Sequence, residues 1–304
     1  RSHIRAHVEA LGLAKDSFRP KLCLTMKKKI IGSAPFLYEG DFCEGVRYAK
    51  KLGYDCVEIH VANPGELELD RLNEALSETG VTVSALGTGR VYVNDGLSLI
   101  DDDPNVRAQA AGRLRQFLDA AALLKCLVII GCVRGNVPDG TRYDLYLGRF
   151  ADAMRELDTY ASQKGVRMVL EPINRYENNF LCDVGECAEF IRQNALTHTR
   201  ILFDTFHMNI EEADVTQCVK TYAPYAAYLH AADSNRLVPG KGHVDFAGVF
   251  RMLSEAGYTG AVSAELLPLP SKEEAASTWI QSVRSILERC PAGGCRADAP
   301  AGKV

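Results

Sequence analysis

Short apolar runs recur along the chain, and most are followed by a longer stretch with helical spacing. Eight read as strands: Lys29–Ala34, Cys56–Val61, Thr82–Thr88, Cys126–Gly131, Arg167–Pro172, Arg200–Thr205, Ala226–Ala232 and Ala261–Leu266. Asp41–Leu52, Asn105–Lys125, Tyr143–Gly165, Asp245–Ala256 and Ser271–Glu288 read as helices. Gly53, Gly80, Gly165 and Gly257 stand where a helix C-cap needs left-handed backbone. The apolar runs lack clean alternation, as expected of strands covered by helices. Strand alternating with helix implies parallel strands joined by right-handed crossovers. Eight such units without a break predict an α/β fold, a closed (β/α)8 TIM barrel, rather than an open doubly wound sheet. No glycine-rich dinucleotide or phosphate-loop pattern follows the first run.

The chain has 304 residues, and a barrel of this kind needs roughly 250. The pattern therefore divides the chain into an N-terminal extension (1–28), one barrel (29–289) and a tail (290–304) whose Pro-Ala-Gly-Gly composition predicts disorder. Lys27-Lys28-Lys29 before Ile30-Ile31 resembles the start of a signal peptide. Gly32, Ser33 and Pro35 break the apolar stretch, and the segment reads as the first strand.

The last four strand-like runs end alike: Met168-Val169-Leu170-Glu171, Ile201-Leu202-Phe203-Asp204, Ala227-Tyr228-Leu229-His230 and Val262-Ser263-Ala264-Glu265. In a barrel the C-terminal ends of the strands ring one mouth, where active sites sit. One polar residue at a strand end is usually a loop hydrogen-bonder. Four in phase on successive strands are better explained by a shared divalent cation, because converging carboxylates in a half-dry cup are costly when unpaired. Three carboxylates and an imidazole, without a thiolate, make a hard donor set that favours Mn²⁺, with Mg²⁺ or Co²⁺ as alternatives, over structural zinc.

Polar residues follow these runs closely. His207 stands three positions beyond Asp204, Glu177 six beyond Glu171, and Arg236 precedes Pro239-Gly240-Lys241-Gly242. Glu177 also fits a capping role, Arg236 an ordinary surface pair, and His60 and His243 structural roles. Arg134 and Lys241 are equally compatible with gripping a phosphate and with facing solvent, so phosphorylation of a ligand stays open.

The stretches Leu170–Glu177, Phe203–Glu211 and His230–Gly242, with their Asp-Thr-Phe-His-Met-Asn and Asn-Arg-x-x-Pro-Gly-Lys-Gly strings, resemble the xylose isomerase-like barrel superfamily, nearest to the ketose 3-epimerases of the tagatose and allulose (psicose) type. The resemblance runs from about Lys29 to Glu288. It implies a small sugar substrate and a cis-enediolate route in which the metal-binding Glu171 and Glu265 double as the proton-transfer pair. It also implies that His207 and Arg236 contact substrate oxygens and that Glu177 orients substrate or supports the pair. Leu266-Leu267-Pro268-Leu269-Pro270 and Gly131-Cys132-Val133-Arg134-Gly135 depart from that group near the mouth, which leaves the sugar open. Aldose–ketose isomerisation of the hydroxypyruvate isomerase kind, and lyase or dehydratase action on a keto-sugar, use the same metal and remain alternatives.

A net charge of -4 argues against a nucleic-acid partner. The superfamily's DNA-repair endonucleases would need a histidine-rich multi-zinc cluster, yet the chain has seven histidines, two of them (His3, His7) in the extension. Retention of both glutamates argues against a merely sugar-binding barrel. No apolar run approaches the roughly 20 residues of a membrane span. Ten cysteines without a Cys-x-x-Cys pair suit a reducing cytoplasm. A homo-oligomer is compatible with all of this.

Overall fold

In a computed structural model, residues 18–27, 36–138 and 142–289 are described. Their strands are β1 (Lys21–Lys27), β2 (Tyr38–Glu39), β3 (Cys56–His60), β4 (Thr82–Gly87), β5 (Leu127–Ile130), β6 (Met168–Leu170), β7 (Thr199–Asp204), β8 (Ala226–His230) and β9 (Ala261–Ala264). The helices are α1 (Phe42–Leu52), α2 (Leu69–Thr79), α3 (Gly89–Asp95), α4 (Pro104–Leu124), α5 (Tyr143–Lys164), α6 (Val184–Gln193), α7 (Thr205–Glu211), α8 (Val215–Tyr222), α9 (Phe246–Glu255) and α10 (Lys272–Arg289). All pairings are parallel. They run β1-β3-β4-β5-β6-β7-β8-β9 and close through β1–β9, so eight strands form the predicted barrel, with two-residue β2 laid on the end of β1.

Seven of the expected strands match to within a few residues. The first does not. It is Lys21–Lys27, inside the stretch read as an extension, whereas Lys29–Ala34 lies outside the described residues, as do 1–17 and the tail 290–304. The segment Leu22-Cys23-Leu24-Thr25-Met26 is short and bracketed by lysines, while Ile30-Ile31 is locally more apolar. What selects the former is partnership: Lys21–Leu24 pairs with Ala261–Ala264 and Cys23–Lys27 with Cys56–His60.

Two cores result. Between sheet and helices lies the large one, with Leu24, Val57, Leu86, Phe117, Phe150 and Trp279. Inside the barrel is a plug to which each of the eight strands contributes one residue: Cys23, Cys56, Ala85, Ile129, Val169, Leu202, Tyr228 and Ala261. Successive strand residues face opposite ways. Two positions beyond Cys56, Val169, Leu202 and Tyr228, the same inward phase delivers Glu58, Glu171, Asp204 and His230. The apolar plug is thus the floor on which the polar layer stands.

Trp279 of α10 is fully buried, stacks on Tyr54 with ring centroids 5.8 Å apart, and donates its Nε1–H to the Ala231 carbonyl at 2.7 Å. It thereby fastens the turn next to His230. Trp279→Ala should cost about 3–5 kcal/mol of unfolding free energy, as expected for emptying a buried aromatic site. Trp279→Phe should cost about 1–3 kcal/mol, from the orphaned carbonyl. Urea unfolding followed by circular dichroism measures both, and a Trp279→Phe protein as stable as the wild type would mean that the hydrogen bond contributes nothing.

Candidate metal centre and sugar pocket

Glu171, Asp204, His230 and Glu265 converge as expected. One donor atom from each lies within 4.8 Å of all the others, and all four residues are buried. Donors about 2.1 Å from a shared ion stand roughly 3–4.2 Å apart, so the cluster matches a divalent cation in size. His230 Nδ1 lies 3.5 Å from Glu171 Oε1, 3.5 Å from Asp204 Oδ2 and 3.2 Å from Glu265 Oε2. Those are ion-pair distances without hydrogen-bond geometry: Nδ1 and Asp204 Oδ2 are both buried and make no hydrogen bond. Two buried polar atoms left unsatisfied face to face is what a ligand set looks like without its ion.

Asp204 also caps α7, accepting from the Phe206 and His207 amides at 2.8 and 3.3 Å through Oδ1, which leaves Oδ2 for the cluster. Gly131 makes room for Glu171: a Cβ there would stand 2.6 Å from Glu171 Oε2.

Glu58 was not singled out from the sequence. It is completely buried, and its two oxygens meet His60 Nε2 at 2.6 Å and His230 Nε2 at 3.1 Å. A carboxylate on the far nitrogen of an imidazole fixes ring orientation and tautomer, leaving Nδ1 to ligate. Its signal was present in the sequence, a glutamate inside the apolar run Cys56-Val57-Glu58-Ile59, in phase with the cluster residues, but away from the strand end.

Burial opposes charge on the His230 ring, yet Glu58, Glu265, Asp204 and Glu171 outweigh it and hold its pKa well above the ordinary imidazole value. Burial likewise opposes ionisation of Glu58 and Asp204, and it is overcome by His230 and His60 at the first and by His207 and His230 at the second, so both carboxyls titrate below their usual range.

The three residues expected to contact substrate line one cavity of about 200 Å³ with Glu171 and Glu265. His207 is buried. Its Nδ1 accepts from Asn174 Nδ2 at 2.7 Å, and the Asn174 amide is oriented because its Oδ1 accepts from the Tyr176 amide at 3.0 Å. The ring proton therefore sits on Nε2, 3.8 Å from Asp204 Oδ2. The sequence alone gave no role to Asn174, which the structure places as the partner that orients His207. Arg236 reaches Glu177 Oε1 at 3.0 Å and Glu265 Oε2 at 3.3 Å, with its guanidinium 4.7 Å from the Phe206 ring centroid. Its loop is pinned by buried Asp233, which accepts from the amides of Ser234, Gly240 and Val244. Gly240 has φ +94°, and a Cβ on Gly242 would stand 2.3 Å from Asp233 Oδ1. The Pro-Gly-Lys-Gly string thus helps hold the loop that carries Arg236, and Lys241 is exposed. The proline-rich run joins it, with the Leu267 amide on the Arg236 carbonyl at 2.7 Å. Arg134 is fully buried and donates to the Glu171 carbonyl at 2.7 Å, supporting that strand end from behind. His243 pairs with Ser234 Oγ at 3.0 Å. Cys132 lines the cavity, but burial and then Glu171 lift its thiol to about 11, which leaves it inert.

Residues 46–286 match the family model for the xylose isomerase-like TIM barrel. The chain is 30% identical to a ketose 3-epimerase of Arthrobacter globiformis over 77% of its own length and 82% of the relative's. It is 29% identical to a D-psicose 3-epimerase of Ruminiclostridium cellulolyticum over 75% and 79%, and 29% identical to a 3-dehydro-D-guloside 4-epimerase of Escherichia coli over 73% and 86%. Among solved structures, a 3-keto-D-glucoside 4-epimerase from E. coli superposes with a TM-score of 0.75 at 23% identity, covering 88% of this chain and 100% of that one.

A proton held by His230 competes with an ion for Nδ1. Because the pKa of the metal-free ring is raised, this competition persists to a higher pH than for an ordinary imidazole and eases as pH climbs toward that pKa. Apparent Mn²⁺ affinity should therefore rise with pH, by up to about tenfold per unit, and go on rising above the pH at which an ordinary imidazole has lost its proton. Glu58→Gln should weaken the metal about 10- to 100-fold. Competition titration against a chelator measures both, and a flat pH profile would mean that Nδ1 is not a ligand.

Proposed function

We propose, on the premise that this chain belongs to the xylose isomerase-like TIM barrel family and is a sugar-acting isomerase of the epimerase kind, that it is a metal-dependent ketose 3-epimerase with Glu171 and Glu265 as its proton-transfer pair. The observation that carries this reading is that both glutamates belong to the four-donor cluster and also line the sugar-sized cavity. Glu171, Asp204, His230 and Glu265 would hold one divalent ion, Mn²⁺ by the hardness of the donor set with Mg²⁺ or Co²⁺ as alternatives, which when bound polarises the ketose carbonyl beside the reacting carbon.

One glutamate removes the C3 proton from one face, and the other delivers a proton to the opposite face of the enediolate. Reversal exchanges their roles, which is why both must be able to ionise. Arg236, anchored by Glu177 and stacked on Phe206, keeps a positive charge 3.3 Å from Glu265 Oε2; in the metal-free protein His230 and then Arg236 overcome the burial of that carboxyl and hold it below the usual range, and once an ion needs His230 neutral the guanidinium stays beside it. His207 presents Nε2–H to a substrate oxygen and stabilises charge there as the C–H bond breaks. Phe36, Ile129 and Ile173 wall the cavity and exclude water that would otherwise exchange the intermediate's protons. The described cysteines are all free, which supports a reducing, cytoplasmic setting.

Glu171→Gln and Glu265→Gln should each slow epimerisation by on the order of 10² to 10⁴-fold, since glutamine keeps the shape and one oxygen but cannot serve as a base. In D₂O the wild type should place deuterium at C3 of a ketose, read by NMR. Each variant should retain some exchange on one face while failing to invert the centre. Near-normal turnover in Glu265→Gln would end the two-base mechanism. Label at C1 or C2 would indicate an aldose–ketose isomerase, and loss of a substituent a lyase.

A further inference from the structure

The cavity that holds the two glutamates also holds Arg90, from the first turn of α3 just beyond β4. In the closed order of strands β4 is four places from β8 in either direction, so Arg90 stands across the mouth from the His230 side. It is only 7% exposed. Its Nη2 is buried without a hydrogen bond, and among the described residues it has no carboxylate at ion-pair distance. The other lining arginine, Arg236, is already held by Glu177 and Glu265. A guanidinium cannot shed its proton, so a buried and unpaired one is left costly unless its counter-charge arrives from the cavity.

We propose that Arg90 binds an anionic end group of the substrate, and that the substrate is a keto-sugar acid whose carboxylate lies at the end of the sugar remote from the reacting carbon. This rests on the reading above for which end reacts. A cavity of about 200 Å³ takes one monosaccharide, so the anion belongs to the sugar and not to a separate cofactor. The planar guanidinium fork matches a carboxylate in a two-bond contact. Charge selects between the anionic groups available. A carboxylate brings one negative charge for one unpaired guanidinium, whereas a phosphate monoester at neutral pH brings about -1.5 to -2.

The test compares three ketoses of the same configuration, ending in a hydroxymethyl group, a carboxylate or a phosphate, on the metal-loaded wild type, Arg90→Gln and Arg90→Lys. Turnover is read by C3 epimerisation. Binding is read separately by calorimetry with an aldonic acid, which carries the carboxylate but no ketone. The wild type should favour the acid over the neutral sugar in kcat/KM by about 10- to 100-fold, as expected of a charged hydrogen bond. Arg90→Gln should erase most of that ratio and the aldonic acid binding. Arg90→Lys should keep part of both, because it retains the charge but not the fork; it also carries the test if Arg90→Gln does not fold. Preference for the neutral or the phosphorylated sugar, or an unchanged ratio in an Arg90→Gln protein with a normal thermal melt, would overturn the proposal. Aldonic acid binding that depends on Arg90, with no C3 exchange on any of the three sugars, would uphold the anion site and sink the epimerase reading.

Discussion

Four carboxylates, from Glu58, Glu171, Asp204 and Glu265, crowd one buried imidazole at the mouth of the barrel, and the surrounding structure is organised around that concentration of charge. So many acidic groups taken out of water would force protonation or unfolding unless positive charge stood among them. His230 supplies one such charge when protonated, and Arg236 supplies another against Glu265. Neither satisfies Asp204 Oδ2 or His230 Nδ1 with a hydrogen bond. A divalent cation does both at once, and it needs the imidazole neutral. Metal binding, His230 protonation and the packing of the strand ends are therefore linked.

The backbone is shaped to the same end. The apolar plug, with one residue from each barrel strand, sets the height at which the next inward layer becomes polar. Glycine appears where a side chain would collide with that layer: at Gly131 beneath Glu171, and at Gly87, where a Cβ would stand 2.3 Å from the His60 ring. Farther out, Asp233 gathers the loop amides so that Arg236, at φ +59°, projects over the cavity. Rigid support of this kind holds the Glu171 and Glu265 carboxylates apart on the wall of one cavity.

Much of this was legible in the sequence. The four positions of the candidate metal cluster stood out because each ends an apolar run, and strand ends in a barrel share one mouth. Glu58 was hidden by the same logic, since a search of strand ends passes over the middle of β3. Its phase with Cys56 marks it only once the inward face is known. The first strand was misplaced because local apolarity favours Ile30-Ile31. The ladder that selects Lys21–Lys27 joins residues far apart in sequence, including the Thr25 hydroxyl on the Ala264 carbonyl at 2.7 Å. Arg90 and Asn174 lay beyond reach for a third reason: burial and the absence or presence of a partner are properties of the assembled mouth.

Everything proposed for this mouth requires that Glu171, Asp204, His230 and Glu265 together bind one ion. Elemental analysis of protein purified with Mn²⁺ tests it most directly, alongside Asp204→Ala, which removes the carboxylate oxygen of the cluster that is left buried without a hydrogen bond. About one divalent ion per chain is expected in the wild type and near-complete loss in the variant, with the fold retained by circular dichroism. Wild-type protein that holds no metal, or an Asp204→Ala protein that holds it as well as the wild type, would contradict it.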